Sequence, residues 1–265
     1  MIDMLQYEFM QRALLAGVLI ALLASISGTF IVLKRYSMMS ETLAHSALVG
    51  IAVALVAGYN PLWMAVAVAI LSSWLIEYLR SSFSLYSDAI LSILLSGSLA
   101  VAVIIVSLGG AFNNSLFSYL FGSILAVSDD DVLAIFGFGT VALALLLLFA
   151  KELYFIAYDE EVAKTSGLKV KFLNYLLVTV VAIIIALSIR VVGSLLIGAL
   201  MVIPTVAALQ YRVGFLHTML LSVFFAILSV ISGMTLSFYF SLPSGATIVI
   251  CVLFLFVFAL MTNKK

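Results

Sequence analysis

The chain reads as an all-α, polytopic transmembrane helical bundle of about eight to nine spans, and three observations carry that reading. Of its 265 residues, 66% are hydrophobic and 9% charged, where soluble domains are apolar over about half their length, and the mean hydropathy is +1.34. The apolar runs approach the ~20 residues that a helix needs to cross ~30 Å of hydrocarbon. They lack the alternation of apolar and polar positions that marks a strand of an outer-membrane barrel.

Taken in order, the apolar runs between glycine, proline and charge punctuation predict nine spans: 13–33, 38–58, 61–79, 88–108, 132–150, 172–189, 192–210, 215–237 and 243–262. No short apolar segment with a small-residue cleavage site precedes the first span, which is therefore expected to act as its own insertion signal. The turn "GYNP" (58–61) separates the second and third spans. The stretch 112–127, "FNNSLFSYLFGSILAV", is too short and too polar at its start to cross, so it reads as an interfacial or re-entrant helix. The longest polar connection is 158–171, "YDEEVAKTSGLKVK". No linker or soluble domain interrupts the pattern, and residues 1–265 are expected to form a single transmembrane domain. Cys251 lies inside an apolar run, can form no intramolecular disulfide, and reads as a small packing residue.

Orientation follows from lysine and arginine, which short cytoplasmic loops retain. With the first span running outside to inside, Lys34, Arg35, Arg80, Lys151, Lys164, Lys169, Lys171, Arg212, Lys264 and Lys265 are cytoplasmic, and only Arg12 and Arg190 lie outside. The N-terminus is then outside and the C-terminus in the cytoplasm. Net charge is zero, which argues against nucleic acid as a partner.

Five constellations could carry chemistry or shape a path. Glu41 and His45 in "MMSETLAHSALVG" (38–50) are four apart, so on a helix they share a face one turn from each other. One reading is a cap, with Ser40 as N-cap, Glu41 near the positive helix end and His45 hydrogen-bonded at the interface. The other is a ligand site, because an ionisable group within the bilayer costs about 2.5–3.5 kcal/mol and normally faces a bundle interior or a water-filled cavity. Carboxylate plus imidazole suits Zn²⁺, and also Mn²⁺ or Fe²⁺; the pair suits proton relay as well. Asp88 opens the fourth span in "SDAILS", as a cap or first-turn acid or as part of a polar lining with Ser92 and Ser96 on the same face.

Glu161 to Gly167, "EVAKTSG", reads as a short amphipathic helix stopped by glycine at the C′ position, where positive φ is required. Pro204 removes a backbone hydrogen bond within 192–210, and Gly193, Ser194, Gly198 and Ala199 leave that segment thin on one side, so it could pack closely, flex or line a path. Asp129, Asp130 and Asp131 either cap the next helix or gather cations in an outer vestibule. No G-x-x-x-x-G-K-[ST] loop is present, so the chain does not itself use ATP in the P-loop manner. H-E-x-x-H and G-x-S-x-G are also absent.

Five stretches in order, "GTFIVLKRYSMMSETLAHSALVG" (28–50), "SLFSYLFGSILAVSDDDV" (115–132), "DEEVAKTSG" (159–167), "RVVGSLLIGALMVIPTVAA" (190–208) and "SLPSGATIVI" (241–250), make the chain resemble the membrane permease subunits of bacterial metal-ion ABC importers, closest in look to the zinc-uptake permeases. That resemblance implies a non-catalytic, homodimeric subunit of the bacterial cytoplasmic membrane that receives metal from an extracytoplasmic binding protein and is driven by cytoplasmic ABC ATPase subunits. It makes Glu41 and His45, with Asp88, metal-path residues. Relatives usually carry aspartate where this chain has Glu41, which keeps the charge on an arm one methylene longer. The zinc-type relatives carry histidine where this chain has Ser96, which leaves manganese or iron beside zinc as cargo. The stretch from Asp159 through Glu160, Glu161, Val162, Ala163 and Lys164 to Gly167 resembles the coupling helix that seats in the ATPase. A proton-coupled secondary transporter using Glu41, His45 and Asp88 as a relay is the alternative reading.

Overall fold

The computed structural model describes residues 3–83, 87–109 and 114–262. After a 3-10 turn at Asp3–Gln6, the described chain is helical throughout: α1 (Glu8–Leu33), α2 (Ser37–Ala57), α3 (Pro61–Ser82), α4 (Ser87–Leu108), α5 (Asn114–Phe121), α6 (Asp129–Leu148), α7 (Ala150–Tyr158), α8 (Glu160–Thr165), α9 (Val170–Val192), α10 (Ile197–Leu209), α11 (Phe215–Phe240) and α12 (Ser244–Thr262). Among the described residues, eight of these are long and apolar enough to cross a membrane: α1 to α4, α6, α9, α11 and α12.

Local chemistry places the helix ends. At the close of α1, Arg35 adopts φ 60, and the N–H groups of Arg35 and Tyr36 return to the carbonyls of Val32 and Ile31, which is the left-handed stop that satisfies the last carbonyls of a helix. In the "GYNP" turn, Gly58 takes φ 75 after α2, the Asn60 side chain accepts from the Leu62 N–H at 3.0 Å, and Pro61 occupies the first turn of α3. Ser128 and Asp131 form a reciprocal capping box at the start of α6.

Helices α1, α2 and α9 are buried over most of their length, while α3, α4, α6 and α12 turn most of theirs outward. Small residues permit the central contacts: a Cβ on Gly28 would stand 2.0 Å from the Met201 carbonyl oxygen, so α1 and α10 approach too closely for any side chain there. Helix α2 lies between α3 and α4, and α9 runs beside α3, α6 and α1. The described polar groups of the core are mostly hydroxyls bonded to carbonyls three or four residues back, as Ser27, Thr29, Ser188 and Ser229 are.

Two predicted spans differ in form. The segment 192–210 is not one helix: Gly193 takes φ 90 and ψ 151 and breaks it, residues 193–196 form an elbow, and α10 has 13 residues, about 20 Å of rise. Gly193 and Ser194 therefore lie before the helix they were expected to thin. The segment 132–150 starts earlier, at Asp129, and after Phe149 the chain continues as α7. Of the stretch 112–127, residues 112 and 113 lie outside the described residues; the rest forms α5 and a 3-10 turn at Ile124–Ala126, too short to cross.

That short segment completes the elbow. The N–H groups of Ser194 and Leu195 donate to the carbonyls of Tyr119 and Leu120 at 2.9 and 3.2 Å, and the Ser123 N–H donates to the Arg190 carbonyl at 3.1 Å. Non-helical backbone at membrane depth is tolerated where protein supplies such partners. The packing leaves no room at Gly193, where a Cβ would meet the Gly122 nitrogen and the Leu120 oxygen at 2.5 Å.

Candidate functional site

Helix α2 begins at Ser37, earlier than a cap at Ser40 requires, and this overturns the capping reading. The Ser40 hydroxyl lies inside the helix and donates to the Ser37 carbonyl at 2.9 Å. Glu41 and His45 therefore stand one and two turns into α2. Glu41 is exposed on the single chain, whereas His45 is 4% exposed and its Nδ1 has no partner among the described residues. A buried ring nitrogen left without a partner costs about 1–3 kcal/mol, so a ligand that engages it recovers that cost.

Helix α10 packs against the start of α2. A Cβ on Gly198 would lie 3.4 Å from the Ser40 Oγ and 3.6 Å from the Glu41 Cβ, ordinary contact distances. Pro204, fully within α10, is buried beside Thr205, whose hydroxyl pairs with that of Ser222 at 2.9 Å. Two features read separately from sequence thus meet: the Glu41 turn of α2 and the small-residue face of α10.

Asp88 sits in the first turn of α4 and is exposed, as are Ser92 and Ser96. The face that α4 turns to α2 is a different one, where Thr42 donates to the Leu91 carbonyl at 3.2 Å and the hydroxyls of Ser46 and Ser98 pair at 3.0 Å. Among the described residues no group of three His, Cys, Asp or Glu side chains could hold a metal ion.

At the other end of the bundle, Asp131 is buried and paired with Arg190, and Asp129 pairs with Arg12 at 2.7 Å. Two of the three acids expected at an outer vestibule thus tie α6 to α9 and α1; Asp129 and Asp130 are exposed, and of the three only Asp131 is buried.

The short helix in 158–171 forms as its residues dictate. Asp159 caps α8, accepting from the N–H groups of Glu161 and Val162 at 3.0 Å. Gly167 has φ 85, and the N–H groups of Gly167 and Leu168 return to the carbonyls of Lys164 and Ala163, a stop that needs glycine. Ala163 is fully buried, while Glu161, Val162 and Lys164 are exposed. Glu160 turns inward: it accepts from Arg80 at 3.3 Å and from the Asn174 amide at 3.2 Å, and it stands 3.6 Å from the Lys34 ammonium.

This network escaped the sequence reading. Arg80 also holds the buried Glu77 through two hydrogen bonds of 3.0 and 2.6 Å, Lys34 donates to Asn174, and the Lys34 and Arg80 cations lie 5.1 and 5.6 Å from the Tyr36 ring. Burial pushes the Lys34 ammonium down to about 8, against the pull of the Glu160 carboxylate. Burial alone would raise Glu160, yet the Lys34 and Arg80 cations hold its carboxyl below the usual range. The signal was present in sequence as Glu77, an acid within an apolar run three residues before Arg80.

Residues 6–263 match the ABC 3 transport family. The chain belongs to that family. Among its relatives, a probable metal transport system membrane protein of Treponema pallidum is 38% identical over 98% of each chain. The manganese import system permease protein ScaB of Streptococcus parasanguinis is 30% identical over 98% of this chain and 93% of its own length. The high-affinity zinc uptake system membrane protein ZnuB of Haemophilus influenzae is also 30% identical, over 98% and 99%. Among solved structures, PsaBC from Streptococcus pneumoniae in complex with Fab superposes with a TM-score of 0.88 at 30% identity, over all of this chain and 95% of that one. The family fold is thus the fold described above.

Proposed function

We propose that the chain is the membrane permease subunit of an importer of divalent transition metal, with zinc the first cargo to test and manganese or iron beside it, driven by separate ATPase subunits. Membership of the ABC 3 transport family and relatives named for metal, manganese and zinc transport support this reading. The observation that carries it is His45: buried, with an unpaired Nδ1, one turn from an exposed carboxylate inside an apolar bundle. An oxygen and a nitrogen from one chain bind a divalent ion weakly enough to release it, where a full tetrahedral cage would trap it. Glu41, Asp88 and Ser92 are exposed on a chain whose surroundings are largely hydrocarbon, an expense that a second copy facing them would remove; a homodimer follows. In this reading the short α10 makes a ninth crossing beside the eight long spans, so that the N-terminus lies outside the bacterial cytoplasmic membrane and the C-terminus inside, a polarity favoured by the gathering of Lys34, Arg80 and Lys164 at one end and of Arg12 and Arg190 at the other.

In the cycle, an extracytoplasmic binding protein delivers the ion and Glu41 and His45 hold it midway. The ATPases move α8, with Glu161, Val162 and Lys164 presented to them and Glu160 anchored in the bundle. The test is uptake of Zn²⁺, Mn²⁺ and Fe²⁺ under competition, by the complex with its ATPase reconstituted in proteoliposomes. ATP-dependent accumulation of one or more of these ions is expected. Uptake that runs on a proton gradient without ATP, or no metal uptake at all, overturns the proposal.

A further inference from the structure

We infer that the chain carries a binding site for one anionic phospholipid on the outer surface of α9, at the lysine-rich end of the bundle. A cleft of about 900 Å³ opens between the end of α3, α8 and the start of α9. Lys169 and Lys171, at the start of α9 and apart from the α8 residues presented to the ATPases, line it, and neither forms an ion pair among the described residues. The two acids in the same cleft are already compensated, Glu77 by Arg80 and Glu160 by Arg80 and Lys34. The cleft therefore presents net positive charge to an anion.

Phe172 and Tyr175 form one wall of this cleft and also line a second cavity, an open apolar groove of about 490 Å³. The groove continues along α9 past Trp74 of α3 and Leu145 of α6 as far as Ile183. From Phe172 to Ile183 the helix rises about 17 Å, close to the ~15 Å depth of one leaflet of hydrocarbon. The Trp74 indole N–H donates to the Thr179 hydroxyl at 2.8 Å, so the polar atoms of the groove wall are paired with each other and an apolar surface faces outward. A free phosphate or nucleotide would use the basic cleft alone. The joined groove selects a ligand with a negative headgroup and an acyl chain. Basic pockets between membrane helices bind such headgroups, each lysine contributing about fivefold in affinity.

The test reads lipid binding alone, through α9 residues outside the coupling helix. Trp63→Phe leaves Trp74 as the sole tryptophan. Its fluorescence is followed in the purified protein titrated with phosphatidylglycerol or phosphatidylcholine brominated on the acyl chain. Phosphatidylglycerol is expected to quench Trp74 at a mole fraction about tenfold below that needed for phosphatidylcholine. Lys169→Gln with Lys171→Gln, both at exposed positions, should bring the two lipids to equal quenching without changing helical content. Equal quenching in the parent protein means ordinary surrounding lipid and overturns the inference. So does a preference that survives the double variant, or full relief of quenching by glycerol 3-phosphate, which has the charge without the chain.

Discussion

Glu160 joins α8 to α1, α3 and α9 through a single carboxylate, accepting from Arg80 and Asn174 and facing Lys34. Glu160→Gln keeps the shape and removes the charge. It should lower metal transported per ATP hydrolysed about three- to tenfold, after allowance for solvent at a partly exposed group, while the complex still assembles; simultaneous measurement of uptake and phosphate release checks this. The sign of the pH effect follows from the two groups. Glu160 lies below its ordinary range, so its stabilising contribution is complete above that range and is lost as pH falls through its lowered value. Lys34 titrates at about 8 in the folded chain, below its unfolded value, so raising pH through 8 removes its proton and its hold on Glu160 while the unfolded chain is still protonated. Folding stability due to Lys34 thus rises between about 8 and the ordinary lysine value, but coupling is expected to fall there. Lys34→Arg, charged throughout, should abolish the alkaline decline in transport per ATP measured from pH 7 to 9.

Among the elements, helix boundaries set by neighbouring residues were legible in the sequence. Gly58, Asn60 and Pro61 each mark the α2–α3 turn, and Asp159 and Gly167 delimit α8, because a cap or a left-handed stop is decided within a few residues. The elbow at 193–196 was not legible, because its partners are the carbonyls of Tyr119 and Leu120, more than seventy residues away. The capping reading of Ser40 failed for a local reason instead: the tight reversal at Arg35 lets α2 start at Ser37, one turn before Ser40. Gly193→Ala should cost about 2 kcal/mol or more, since a positive φ and a contact at 2.5 Å both oppose a side chain. A fall in the thermal unfolding midpoint of several degrees in detergent is the expected reading, with Gly137→Ala, in the interior of α6 at a position open to space, as the control that does not fall and rises slightly.

For the whole molecule, composition and the length of the apolar runs foretold a membrane bundle, and the family fold agrees with it. The joining of charges did not follow from sequence: Asp129 and Asp131 spend themselves on Arg12 and Arg190, and Glu160 on the network at the opposite end. The Glu41–His45 pair was legible as a shared helical face. The burial of His45, its unpaired Nδ1 and the approach of Gly198 to the Glu41 turn required the packed bundle, which no local pattern encodes. The account stands on that pair as the place where the ion is held. The most direct measurement is ATP-driven metal uptake by the reconstituted complex carrying Glu41→Ala or His45→Ala, with ATP hydrolysis and assembly followed alongside. Loss of uptake by more than tenfold in each variant, with the complex intact, is predicted; uptake at the parent rate in both would remove the pair from the path and contradict the account.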